Sequence, residues 1–426
     1  MCANENVTKE NFQRTKHPDA QWYGEAGLGL FIHWGISSVH GGIDLSWGMM
    51  DEKPWDPGNK HIITPEEYYK LAKDFKPNEY DPHKWLKVAK EAGFRYAVMT
   101  TRHHDGYAMF PSEYGELGVK QYLPETDFIG EYVEACRDNG LKVGFYYSPP
   151  DWYYNRNYMS FHYGSGNDER YPGRKHYNMR HEVIESVPKK PEGFDEDYRA
   201  YIYGQVVELL TLYGKIDVLW FDGGPEAISF DEIRKLQPHI VVNPRMHGYG
   251  DFQTPECEMP DARIDGWWEL CDILPNGGWG YDKGHENYKS IAWMLSRFTK
   301  VRGWSGNYLV NVSPRPSGEM PDVYYERMGE LAEWMKYNGE SVFDTQPGPH
   351  PKQSNVPITI RENRWYLHIS NDFNESVLLA DAGKPKSLKM LRNGRTLDYV
   401  FADDKLRFTI PSELRTDSLD VVAVDC

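Results

Sequence analysis

Three carboxylates in this chain stand where a carboxylate could do chemistry: Asp222, Glu256 and Glu269. Asp222 ends the apolar run of Val218-Leu-Trp-Phe-Asp-Gly-Gly224. A buried strand that stops on one carboxylate, with glycines just after it, leaves that group open to a ligand at a sheet or barrel edge. The same Asp could cap the N-terminus of a following helix. To cleave a glycosidic bond it needs a second carboxylate. One candidate is Glu256 in Gly250-Asp-Phe-Gln-Thr-Pro-Glu256, on the loop after the strand ending at Arg245; a lone loop glutamate otherwise reads as solvated surface. The other is Glu269 in Gly266-Trp-Trp-Glu269, on a strand-like aromatic run, where a buried carboxylate paired with an arginine is the alternative.

Other side chains suited to chemistry cluster at the ends of apolar runs. His103 and His104 could donate to sugar hydroxyls, make structural hydrogen bonds or bind a metal. Adjacent strand residues point to opposite faces, so a pair of this kind seldom ligates one ion. Metal-dependent barrel hydrolases usually carry His-x-His, and no strand end here does. Ser37, Ser38 and Ser148 lack the G-x-S-x-G context of a nucleophile elbow. Gly27-Leu-Gly29 opens into a strand rather than a helix, which leaves nicotinamide binding unsupported. No cofactor and no metal is expected.

The elements that must position these groups alternate between strand and helix from about residue 28 to 315. Leu28–Gly35, Tyr96–Thr101, Val143–Tyr147, Val218–Asp222, Ile240–Asn243 and Asn307–Ser313 read as strands. Asp81-Pro82 starts a helix that ends at Gly93. Phe128–Cys136 traces another, stopped by Asn139-Gly140, and Ile202–Tyr213 a third, closed by Gly214; a fourth falls around 229–237. Repeated units of this kind imply a parallel sheet. Polar ends are spread over the whole region: His33-Trp34, Arg102–Asp105, Tyr147-Ser148, Asp222, and Asn243 with Arg245. That spread favours an α/β (β/α)8 TIM-like barrel, whose site lies at the strand C-termini, over an open sheet with one crevice. Residues 152–195 break the alternation as a Tyr-, Asn- and Gly-rich insertion, the texture of a lid or subsite. After Pro347-Gly-Pro349, which reads as a linker, short alternating runs predict a small antiparallel β-sandwich. The expected division is a barrel domain over 1–343 and a sandwich over 344–426.

Composition bounds the partners. The 426 residues carry 48 Lys and Arg against 64 Asp and Glu, a net charge of −16 with no basic run, which argues against nucleic acid or an anionic membrane surface. The 14 Trp and 30 Tyr exceed what a core needs and suit stacking on sugar rings. Residues 26–43 lack charge but are too rich in Gly, His and Ser to span a membrane. The five cysteines show no metal-type spacing, and Cys257 and Cys271 could pair. Cys2 directly after Met1 is how an exported bacterial lipoprotein would read without its signal segment, so a periplasmic, secreted or lipid-anchored location is expected.

Taken together, these motifs resemble the α-L-fucosidases of glycoside hydrolase family 29. The resemblance rests on Trp22–Gly35, Thr100–Tyr107, Gly144–Ser148, Leu219–Gly223, Asn243-Pro-Arg245 and Gly306–Pro314, in order over residues 22–340. It implies a retaining exo-glycosidase acting on a fucosylated glycan. In that resemblance Asp222 is the nucleophile and Glu256 the acid/base of one subgroup. His33, His103, His104, Tyr147, Trp220 and Arg245 match positions that hold the fucose, Trp47 is a pocket tryptophan, and Trp279 shields the C6 methyl. Ser46 stands where some members carry Glu, and Pro244 where Asp is usual. Two other classes are a metal-dependent hydrolase using His33, His103 and Asp222, and a silent fucose-binding relative.

Overall fold

The computed structural model describes residues 14–165, 169–381 and 383–425; Cys2 and Cys426 lie outside them. Eight parallel strands form one sheet: β1 (Leu28–Ile32), β2 (Tyr96–Arg102), β3 (Lys142–Tyr147), β4 (Val218–Phe221), β5 (Val241–Val242), β6 (Phe252–Gln253), β7 (Trp267–Ile273) and β8 (Asn307–Val312). Neighbours run β5-β4-β3-β2-β1-β8-β7-β6. Asp251 closes the remaining gap. Its backbone N–H donates to Val242 O and its carboxylate accepts from Val242 N, each at 2.8 Å. The expected barrel is present.

Among the described residues, six α-helices of seven or more residues surround it: α1 (Pro82–Glu91), α2 (Phe128–Asp138), α3 (Phe194–Leu212), α4 (Phe230–Leu236), α5 (Ile291–Gly303) and α6 (Asp322–Asn338). Asp81 caps α1 by accepting from Lys84 N, Asp127 caps α2 through Gly130 N, and Ser290 caps α5 through Trp293 N. Neither β5 to β6 nor β6 to β7 carries a crossover helix, so the strand–helix alternation lapses there.

Alternation along each strand divides the core in two. Phe31, Tyr96, Val98, Tyr146, Val218, Trp220, Val241, Phe252, Cys271 and Leu309 fill the barrel interior. Leu28, Leu30, Ile32, Phe145, Tyr147, Leu219 and Phe221 face the helices. Gly29 is required inside, because a Cβ there would overlap the Tyr96 ring.

The C-terminal strands form two antiparallel sheets. One contains β9 (Gln346–Pro347), β10 (Ile358–Arg361), β11 (Arg364–Ser370), β13 (Ser387–Met390) and β16 (Leu419–Asp425); the other contains β12 (Val377–Ala380), β14 (Val400–Ala402) and β15 (Lys405–Phe408). Leu367, Ile369, Val422 and Val424 meet Leu379, Leu406 and Phe408 between the sheets. Tyr366, Leu419, Val421 and Ala423, on the opposite face, pack into the barrel's outer core. Pro347, expected in a linker, instead lies in the edge strand β9, where a missing N–H is tolerated.

Candidate active site

The C-terminal mouth of the barrel gathers the candidate residues. Trp220 points into the barrel, and strand alternation sends Asp222, two positions on, to the same side. The end of β4 is held from both sides. Asn243 Oδ1 accepts from Phe221 N and its Nδ2 donates to Phe221 O, each at 2.8 Å, while Asp222 N donates to Tyr147 O. Asp222 caps no helix: Gly223 takes φ +89°, and α4 is capped by Ser229 in a box with Glu232.

Asp222 is a quarter exposed, with a side-chain accessibility of 24%. Oδ1 accepts from Arg245 Nη1 at 3.1 Å, Oδ2 accepts from the Tyr146 hydroxyl at 2.7 Å, and His104 Nε2 lies 3.5 Å from Oδ2. Burial alone would raise its pKa, but the charge of Arg245 and the hydrogen bond from the Tyr146 hydroxyl hold it below the ordinary carboxylate value. Arg245 also donates from Nη2 to Glu256 Oε2 at 2.7 Å, and its guanidinium lies 4.4 Å from the Trp220 ring centre. One guanidinium thus spans both candidate carboxylates. Glu256 is the more exposed of the two, at 42%.

Glu269 has a different setting. It is fully buried inside the barrel and accepts from the Tyr23 and Tyr96 hydroxyls at 2.8 and 2.5 Å and from Trp220 Nε1 at 3.1 Å. No arginine bonds it among the described residues. Burial raises its pKa to about 7 against the pull of those donors.

The histidines are buried and aligned by their back nitrogens. Asn311 Nδ2 donates to Trp279 O, so its Oδ1 is the acceptor 2.7 Å from His33 Nδ1. Ser148 Oγ donates to Pro150 O, so it accepts from His104 Nδ1 at 2.6 Å. Both networks assign the proton to Nδ1 and leave Nε2 as an acceptor for a ligand hydroxyl. His103 Nδ1 meets Ser46 Oγ at 2.5 Å. Burial depresses all three pKa values, that of His33 to about 4, so the rings are neutral at neutral pH. Tyr146 stacks between His103 and Trp220, with centroids 5.6 and 5.5 Å away. Trp279 flanks His33 at 5.2 Å; Trp47 flanks His104 at 5.4 Å and meets Trp152 of the insertion at 5.2 Å.

Tyr147 does not join them. Its hydroxyl donates to Gln205 Oε1 on α3 at 3.0 Å, and Arg102 covers its ring. The expected binding role is corrected by one position: alternation turns Tyr147 outward and Tyr146 inward, in register with Trp220. Tyr146 and Asn311 are the residues that sequence reasoning missed; Asn243, Ser46 and Ser148 stand in its motifs without the bonds they make here. The inward parity of Asp222, carried across the β3–β4 register, is the signal that could have found Tyr146. Tyr146→Phe should lower kcat/KM by about tenfold to a hundredfold, since a hydrogen bond to a charged group is worth about 1.5–3 kcal/mol. Losing that donor also raises the Asp222 pKa, so the acidic limb of the pH–rate profile moves to higher pH. Tyr147→Phe should leave that limb in place and cost about 1 kcal/mol of stability, read from a melting curve.

His103, His104 and Asp222 offer ligand atoms within 4.8 Å of one another, the set that could hold a cation. His33 is not in it. A guanidinium 3.1 Å from Asp222 would repel a dication, so the donor set fits a metal poorly. Cys257 and Cys271 are free thiols joined only through the backbone. Among the described residues no helix is long and apolar enough to cross a membrane.

This architecture is shared with known proteins. The α-L-fucosidase family model matches residues 1–340. Tissue α-L-fucosidase of Bos taurus is 26% identical over 357 residues, 78% of this chain and 70% of that one. The solved structure of α-L-fucosidase isoenzyme 1 from Paenibacillus thiaminolyticus aligns with a TM-score of 0.77 and 30% identity over 96% of this chain and 98% of that one. A Bacteroides thetaiotaomicron α-L-fucosidase, solved as a trapped covalent intermediate, shares the fold with a TM-score of 0.76 and 22% identity over 97% of each chain.

Proposed function

The chain belongs to the α-L-fucosidase family of glycoside hydrolases, and on that premise we propose that it releases terminal α-L-fucose with retention through a glycosyl-enzyme on Asp222. The observation that carries this reading is the Asp222–Arg245–Glu256 bridge at the barrel mouth. Asp222 is kept ionised and attacks the anomeric carbon; Glu256 protonates the departing oxygen, then takes a proton from the water that frees the sugar. Retention calls for carboxyls about 5–5.5 Å apart, and Arg245, bonded to both, holds the two groups at one mouth of the barrel. Glu256 Oε2 accepts from Arg245 Nη2, so the acid step requires substrate to part that contact. The neutral Nε2 acceptors of His33 and His104 suit sugar hydroxyls, and Trp279 and Trp47 supply apolar walls.

The test is hydrolysis of an aryl α-L-fucoside followed by proton NMR. α-L-Fucose as the first anomer supports double displacement; the β anomer overturns it. Fucose binding without turnover makes the chain a silent relative. Activity should be unchanged in chelator; loss restored by a divalent ion would carry the metal-dependent reading instead.

A further inference from the structure

Trp55 is the most conspicuous unexplained side chain near the site: a large aromatic left 51% exposed. It is held exposed by a braced turn rather than by slack chain. Lys53 is buried, donates from Nζ to Met50 O and His61 O at 2.9 and 3.1 Å, and pairs with buried Asp56. Asp56 in turn accepts from the Lys60 and His61 backbone N–H groups. The base of the turn is closed by Ile63 N donating to Gly48 O, one residue from Trp47. A buried ion pair and its bonds are an expensive way to present an indole to water, unless the indole has something to meet.

The turn is also stitched to the insertion. Asp51 N donates to Phe161 O and Tyr163 N donates to Asp51 O. That seam brings Tyr163 to 5.0 Å from Trp55 and 5.9 Å from Trp47, while Trp55 lies 5.6 Å from Trp47. Trp47 touches His104, so an aromatic path runs outward from the fucose pocket to Trp55. The charges beside it are mutually paired, Glu52 with Arg174 and Lys53 with Asp56. The surface is therefore aromatic and locally balanced, the chemistry that meets the C–H face of a neutral sugar rather than an acidic one.

We propose that Trp55, with Tyr163 behind it, is a platform for a second, neutral pyranose of the glycan that carries the fucose. This rests on the fucosidase reading and extends it to specificity. By barrel order Glu256 follows β6 while Trp47 leans on the end of β2, across the barrel. A branch sugar folding back beside the fucose would reach Trp55 there; a sugar on the leaving oxygen would have to arch over the mouth.

The experiment compares wild type, Trp55→Ala and Trp55→Tyr on three substrates: α-L-fucosyl fluoride, a linear fucosylated disaccharide and a branched fucosylated trisaccharide. The expected result is at least a tenfold fall in kcat/KM for Trp55→Ala on the trisaccharide, carried by KM, with the fluoride unchanged and Trp55→Tyr recovering most of the loss. A loss confined to the trisaccharide assigns the branch sugar; an equal loss on the disaccharide assigns the leaving-side sugar. An equal fall on all three substrates, or none on either oligosaccharide, overturns the platform. Wild type inert on the fluoride and on both glycans would instead overturn the fucosidase reading on which the platform rests.

Discussion

Asp222→Ala should cut turnover of any α-L-fucoside by about four orders of magnitude or more, because the proposed mechanism assigns the covalent step at the anomeric carbon to this carboxylate. The fold should survive. Asp222 is partly open to solvent and its loss creates no core cavity, whereas its bonds to Arg245 and Tyr146 are ones those residues can replace with water. A melting temperature near that of wild type together with absent turnover is therefore the expected pair of results; near-native activity would remove Asp222 as nucleophile. The wild-type pH profile adds a signed check. The Asp222 pKa lies below the ordinary carboxylate value, so its ionised form persists into mild acid and is lost only as pH falls through that depressed value. Arg245→Met removes the largest charge that offsets burial. It should move the acidic limb upward while leaving Asp222 in place.

Much of this site was legible in the sequence because strand chemistry obeys a period of two. The run Val218–Asp222 placed one carboxylate at a strand end, and polar groups on the other strand ends pointed to a barrel rim. The resemblance implies Tyr147; the same rule carried across the β3–β4 register selects its neighbour Tyr146. Helix signals read cleanly wherever a cap was explicit, as at Asp81-Pro82 and Asn139-Gly140. Strands β6 and β7 were harder. β6 is two residues long, no helix separates it from either neighbour, and β7 carries Glu269 and Asp272 among its apolar residues, so the hydropathy alternation that marks a βα unit is missing. The bridging role of Arg245 could not be read at all, since it depends on three strand ends converging in space.

Glu256 and Glu269 are separated by their surroundings, and two substitutions separate them by experiment. Glu256→Ala should lower kcat on natural fucosides by about 10²–10⁴-fold and spare substrates with good leaving groups, which need no proton on departure. Azide should restore turnover by attacking the glycosyl-enzyme in place of activated water. Glu269→Gln should leave the leaving-group dependence unchanged, because its oxygens are enclosed by Tyr23, Tyr96 and Trp220 and reach no substrate. Its signature belongs to stability. With a folded pKa raised to about 7 from an ordinary value of 4.5, Glu269 favours the folded state most below about 4.5, and that contribution is lost as pH rises toward 7. Melting temperatures measured from pH 5 to 8 should fall less steeply for Glu269→Gln than for wild type. Azide rescue of Glu269→Gln, with none for Glu256→Ala, would exchange the two assignments.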